Sequence, residues 1–208
     1  MKTLILAASL LGASLLGASL LGIDFGNQNA WTYPSSQIER PTVNLPKSLW
    51  QHNWNNGRSG SCVVASTIDI LRWQGQFAAA TKLRSSYGGG WDDDDWCRVL
   101  DKEGIDYDRT KGNIAFLEVA CATRRGCIVT INVGNGSYHY TTQNRGYHCV
   151  ALVHLDPADS LNPRAGILDN NLDKIVWLSR EEFLRYWFAS SGTWAIAPVY
   201  TPTSPRIP

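Results

Sequence analysis

Cys62 closes the polar, glycine-bearing stretch "NNGRSGSC" and is followed at once by the apolar run "VVASTIDILRW". The boundary is the start of an expected helix. There the first backbone N–H groups have no intrahelical acceptor, and the helix dipole adds partial positive charge. Both stabilise a thiolate and lower a thiol pKa. Gly57, Ser59, Gly60 and Ser61 precede it and let the backbone approach a ligand closely. A thiolate nucleophile also needs a partner that holds it as an ion pair and protonates the leaving group. His148, in "GYHCVALVHLD", follows a glycine and opens an apolar strand, which places an imidazole at a sheet rim. Asp169 ends the strand "GILD", where a carboxylate can accept from that imidazole and fix its tautomer.

Each of these residues alone has an ordinary structural role. A cysteine at a helix start is usually a small core residue, and Asp before Asn-Asn is usually a turn former. The combination in the order Cys, His, Asp is what points to nucleophilic chemistry. Asn170 is the alternative third member. Side chains alternate along a strand, so only one of Asp169 and Asn170 can face His148, and Asp169 is preferred. His154 lies six residues beyond His148, about 20 Å further at roughly 3.3 Å per residue, too far to share its surroundings. His139, in the expected hairpin "GSYHYTT", can line a cleft, and His52 is a further competitor.

Several elements must position these groups. A helical segment is expected from Cys62 to about Leu83, broken or bent at Gly75. "YGGGWDDDDW" reads as a loop, with its four aspartates a solvated turn that lacks the alternating spacing of calcium ligands. "WCRVLDKEG" reads as a short helix stopped by Gly104, and "NIAFLEVACATRRG" as another, capped by Asn113 and stopped by Gly126. Strands are expected at 127–133, 147–155, 165–169, 174–179 and 193–199. Ser179 and Glu182 form a capping box for a helix between the last two. Helices first and a mostly antiparallel sheet second make an α+β order.

The chain has 208 residues, 44% of them hydrophobic, enough for one domain with its own core. Its net charge is +1, with Lys and Arg scattered, which argues against a dedicated nucleic-acid binder. Lys2 precedes an uncharged stretch, residues 3–23, in which "ASLLG" occurs three times in succession. Residues 1–23 therefore read as a secretory signal or a membrane anchor, the only part expected to meet a membrane. Residues 24–46 read as an extended linker and 201–208 as a flexible tail. Export makes the odd count of five cysteines informative, because at least one thiol is left unpaired within the chain. Cys121 and Cys127 are candidates to bridge each other or Cys97. There is no CxxC, which disfavours a zinc ribbon.

The stretch "GSC" at Gly60–Cys62, the strand "GYHCVALVHLD" and "GILDNN…WLSREEFLRYW" together resemble the papain-like cysteine peptidase superfamily. Within it they resemble the bacterial C39-like branch, over residues 47–200. The resemblance implies a papain-like α+β fold, with the nucleophile on a central helix packed against a C-terminal antiparallel sheet. It implies an enzyme that hydrolyses peptide bonds in a peptide or protein substrate, without metal or organic cofactor, and the signal-like residues 1–23 make it an exported one. Cys62 would be the nucleophile, His148 the acid and base, and Asp169 the orienting group. The family has a glutamine six residues before the cysteine as oxyanion donor. Here that position is Asn56, whose amide has a shorter reach, and Gln51 is a weaker candidate. Ser59 and Val63 replace the cysteine and aromatic residue that flank the nucleophile in papain itself. The cleft is expected between the helical and sheet halves, with Trp54, Trp73 and Trp91 as candidate wall residues. Two other functions fit the same residues. One is a transglutaminase-like or amidase acyl transfer. The other is a secreted binding module in which Cys62 is an ordinary or disulfide-bonded thiol.

Overall fold

A computed structural model of the chain describes residues 43, 45–54, 60–134 and 146–199. Expectations for residues 1–42, Asn56, His139 and the tail from Thr201 lie outside the described residues. The helices are α1 (Cys62–Trp73), α2 (Phe77–Ser86), α3 (Asp93–Glu103), α4 (Ile114–Ala122) and α5 (Arg180–Phe188). The strands are β1 (Tyr107–Lys111), β2 (Cys127–Asn132), β3 (Tyr147–Leu155), β4 (Arg164–Leu168), β5 (Ile175–Ser179) and β6 (Trp194–Pro198).

Helix α1 is buried from Val63 through Leu71, as befits a helix that is apolar nearly all round. Its few polar side chains are bonded inside the core. Thr67 Oγ1 donates to Val63 O and accepts from Trp96 Nε1 at 2.9 Å. Ser66 Oγ donates to Cys149 O at 3.1 Å, which ties α1 to β3. Asp69 Oδ1 accepts the Gln51 N–H at 2.6 Å. Gly75, at φ +80°, separates α1 from α2, so the expected break is a complete one.

All strand pairs are antiparallel, in the order β1-β6-β2-β3-β4-β5. Cys149, Ala151 and Val153 pack with α1, whereas Val150 and Leu152 pack on the opposite face with α4 and α5. The middle of β3, Cys149 to Val153, is therefore an unbroken apolar run because both of its faces are covered. The expected packing of N-terminal helices on a C-terminal antiparallel sheet is present, with a second helical layer added. The sheet lies between α1–α3 on one side and α4 and α5 on the other.

One local reading is corrected, and one element has no counterpart among the expectations. The aspartate run is not a loop: Asp92 is the N-cap of α3, its side chain accepting from Asp95 N at 2.7 Å, and Asp93–Asp95 form the first turn. Carboxylates suit that position because they meet unpaired N–H groups and the positive end of the dipole. The segment "YDRTK" is β1, an edge strand with no apolar alternation to reveal it. Caps at Asn113 and Ser179 and the stop at Gly104 form as expected. Val43 and Leu45 are buried, and Trp50 Nε1 donates to Leu45 O, so packing extends back into the stretch read as a linker. All five cysteines are free thiols. Cys121 and Cys127 are hydrogen-bonded neighbours without a bridge, and Cys97 is unbridged too. No helix among the described residues is long and apolar enough to cross a membrane.

Candidate active site

The turn that carries Cys62 is built by a side-chain clasp. Ser61 is fully buried, and its N–H and Oγ both donate to Asn53 Oδ1, at 3.0 and 2.6 Å. Trp54 N–H donates to the same Ser61 Oγ at 3.0 Å. Asn53 N–H donates to Asn170 O at 2.9 Å, so this loop spans from the start of α1 to the residue after Asp169. Below the turn, Asn170 Nδ2 is shared among Ser66 Oγ at 2.8 Å, Cys149 O at 2.9 Å and Cys62 O at 3.1 Å. One buried amide thus links the helix of the thiol to the strand of the histidine.

On this frame Cys62, His148 and Asp169 come together. His148 Nε2 lies 3.0 Å from Asp169 Oδ1, and both side chains are buried. Asp169 Oδ1 also accepts from Asn171 N–H at 2.9 Å, which fixes the carboxylate. The His148 ring is hydrogen-bonded to the Cys62 thiol as well. Burial is the largest influence on either group and opposes charge on both. It is outweighed. The carboxylate of Asp169 and the Cys62 sulfur raise the imidazole to about 9. His148 and the backbone N–H groups of Cys149 and Val63 bring the thiol below its ordinary value. Both directions favour a thiolate–imidazolium pair.

The other sequence candidates separate cleanly. Asn170 is not on the histidine, because its amide is committed to the helix–strand link. His154 bonds Asp156 Oδ1 at 2.7 Å and lies edge-on to Trp177, away from the thiol. His52 is exposed and pairs with Asp173. Gln51 gives its N–H to Asp69 and its side-chain amide to His52 O. Asn56 lies outside the described residues. Asn53, nine positions before Cys62, was not singled out, and nothing in a polar loop marks one asparagine from another. A cleft of about 300 Å³ opens beside Cys62, with Trp91, Tyr147, Cys149 and Trp194 in its walls. Of the expected wall tryptophans, Trp91 lines it, Trp54 stacks under the Arg84 guanidinium at 3.9 Å, and Trp73 packs against the core. Among the described residues, no three His, Cys, Asp or Glu side chains cluster as a metal-ligand set.

A solved structure from Bacillus anthracis, provisionally named a C39-like peptidase, superposes with a TM-score of 0.56. The match covers 77% of this chain and 97% of that one, at 17% identity. The chain therefore shares the α+β fold of that structure. No family model matches the sequence, and no curated protein matches it. At such low identity the likeness establishes architecture, and the chemistry has to be argued from the side chains.

Proposed function

We propose that this chain is an exported papain-like cysteine peptidase. The observation that carries the reading is the set of half-buried Cys62 and buried His148 and Asp169, assembled from a helix start, a strand start and the end of the neighbouring strand. Cys62 attacks the carbonyl carbon of a peptide bond as thiolate. The oxyanion develops beside the Cys62 backbone N–H, with the Asn56 amide as second donor. His148 gives its proton to the leaving amine, and the amine departs from a thioester on Cys62. Water, deprotonated by His148, then hydrolyses the thioester and regenerates the thiol. Asp169 holds the ring and stabilises its charged form throughout. The lysine-led apolar stretch 2–23 supports export. The free state of all five thiols removes the main ground for a Cys62 locked in a disulfide.

The test is the alkylation of Cys62 by iodoacetamide across pH 4 to 9, compared with His148→Ala. The expected rate is selective for Cys62 and stays high far below the ordinary thiol pKa of about 8.5. It falls steeply without His148. An ordinary thiol titration that ignores His148 would refute the catalytic reading. Peptide cleavage in the presence of a primary amine separates hydrolysis from acyl transfer, because transfer leaves an amide-linked product.

A further inference from the structure

The four aspartates at the start of α3 do not share one fate. Asp93 pairs with Lys111 at 3.1 Å, Asp94 with Arg109 at 2.6 Å, and Asp95 with Arg98. Asp92 has no cationic partner among the described residues. One of its oxygens is taken by the Asp95 N–H as helix cap. Asp92 also lines the cleft that holds Cys62, together with Gly90, Trp91, Asp93, Tyr147 and Trp194. Three cations thus neutralise the rest of the run, and the remaining charge borders the cavity of the nucleophile. Aromatic walls beside a carboxylate are the surroundings that hold a cationic side chain, by charge at its head and by ring faces along its stem.

We infer that this cleft is a side-chain subsite selective for arginine or lysine at a substrate position next to the scissile bond, with Asp92 as its charge determinant. The inference rests on the peptidase reading above and sharpens it to a substrate class. Asp93 contributes little net charge because Lys111 faces it. Among the described residues the unpaired charge of the subsite is therefore one carboxylate, and its discrimination is modest and dependent on salt.

The test uses the full chain and two peptidyl acyloxymethyl ketones that differ only in carrying arginine or glutamate at that position. Alkylation of Cys62 is followed by intact mass. The arginine reagent is expected to react about tenfold faster than the glutamate reagent, with the ratio falling as salt is raised. Asp92→Asn removes the charge but keeps a good N-cap, so the helix start survives. It should bring the ratio to within about twofold, whereas Asp94→Asn, outside the cleft, should leave it near the wild-type value. Equal rates for the two reagents would overturn the subsite, as would a ratio that Asp92→Asn does not change or that Asp94→Asn lowers equally. If iodoacetamide fails to label Cys62 selectively, the peptidase reading has failed. The subsite is then judged by titrating the same two peptides without their reactive groups, and equal affinity for both overturns it.

Discussion

Strand β3 carries two histidines, and both rest on an aspartate. His148 meets Asp169 at 3.0 Å and His154 meets Asp156 at 2.7 Å. By distance alone the second pair is the tighter. What differs is the surroundings. Asp156 is occupied by its own strand connection: its Oδ2 accepts the Arg164 N–H and its carbonyl accepts from Arg180. The His154 ring is packed against Trp177. His148 instead faces a thiol brought by a different element. A histidine–carboxylate pair is thus a common structural device. It becomes a candidate for chemistry only where the fold supplies a third group that can exchange charge with it.

Removing each imidazole gives the widest separation. His148→Ala should lower kcat/KM for peptide hydrolysis on the order of a thousandfold, the usual contribution of a positioned acid–base group. His154→Ala should leave kcat/KM within about twofold while costing about 1 kcal/mol of stability, read by denaturant unfolding. A large activity loss from His154→Ala would break the distinction. The carboxylates sharpen it further. In the proposed mechanism hydrolysis requires a protonated His148, so kcat/KM should decline as pH rises through about 9. Asp169 favours the charged imidazole, so Asp169→Asn should move that decline to lower pH and reduce the plateau by roughly 10- to 100-fold. Asp156→Asn should shift nothing in the profile.

The smallest effect concerns Asp69, a buried carboxylate with no imidazole. Burial, opposed by the Gln51 N–H and the Arg72 charge, raises it to about 8. Its unfolded value is near 3.9, so the folded chain keeps a proton that the unfolded chain releases. Stability is therefore highest below about pH 4 on this account, and falls as pH rises towards 8. Asp69→Asn keeps the acceptor for Gln51 and abolishes the titration. It should raise the melting temperature at pH 8 and leave it nearly unchanged at pH 4.

Much of this was legible in the chain. Cys62, His148 and Asp169 each stand at an element boundary, and boundaries are written in glycines, caps and apolar runs. The five apolar strands were legible to within about one residue at either end, because buried strands must be apolar. Strand β1 was not, since an edge strand of Tyr, Asp, Arg, Thr and Lys has no buried face to declare it. The start of α3 was missed because a run of aspartates suits a solvated turn and a helix N-terminus equally well. The order of the strands and the second helical layer depend on pairings between distant segments, which no local pattern records. Asn53 and Asn170 were hardest, because an amide acquires its role only from the neighbours that folding brings to it.

Asn170 has a consequence for timing. Its one amide, with the Ser66 hydroxyl, ties the helix of Cys62 to the strand of His148, segments far apart in the sequence that meet only when the chain folds. Before that moment Cys62 is a thiol like any other, and a nascent or threading chain is chemically harmless to its neighbours. On the proposed reading, the nucleophile acquires its reactivity only as these segments come together. The appearance of rapid alkylation at mildly acidic pH would accordingly serve as a clock for refolding.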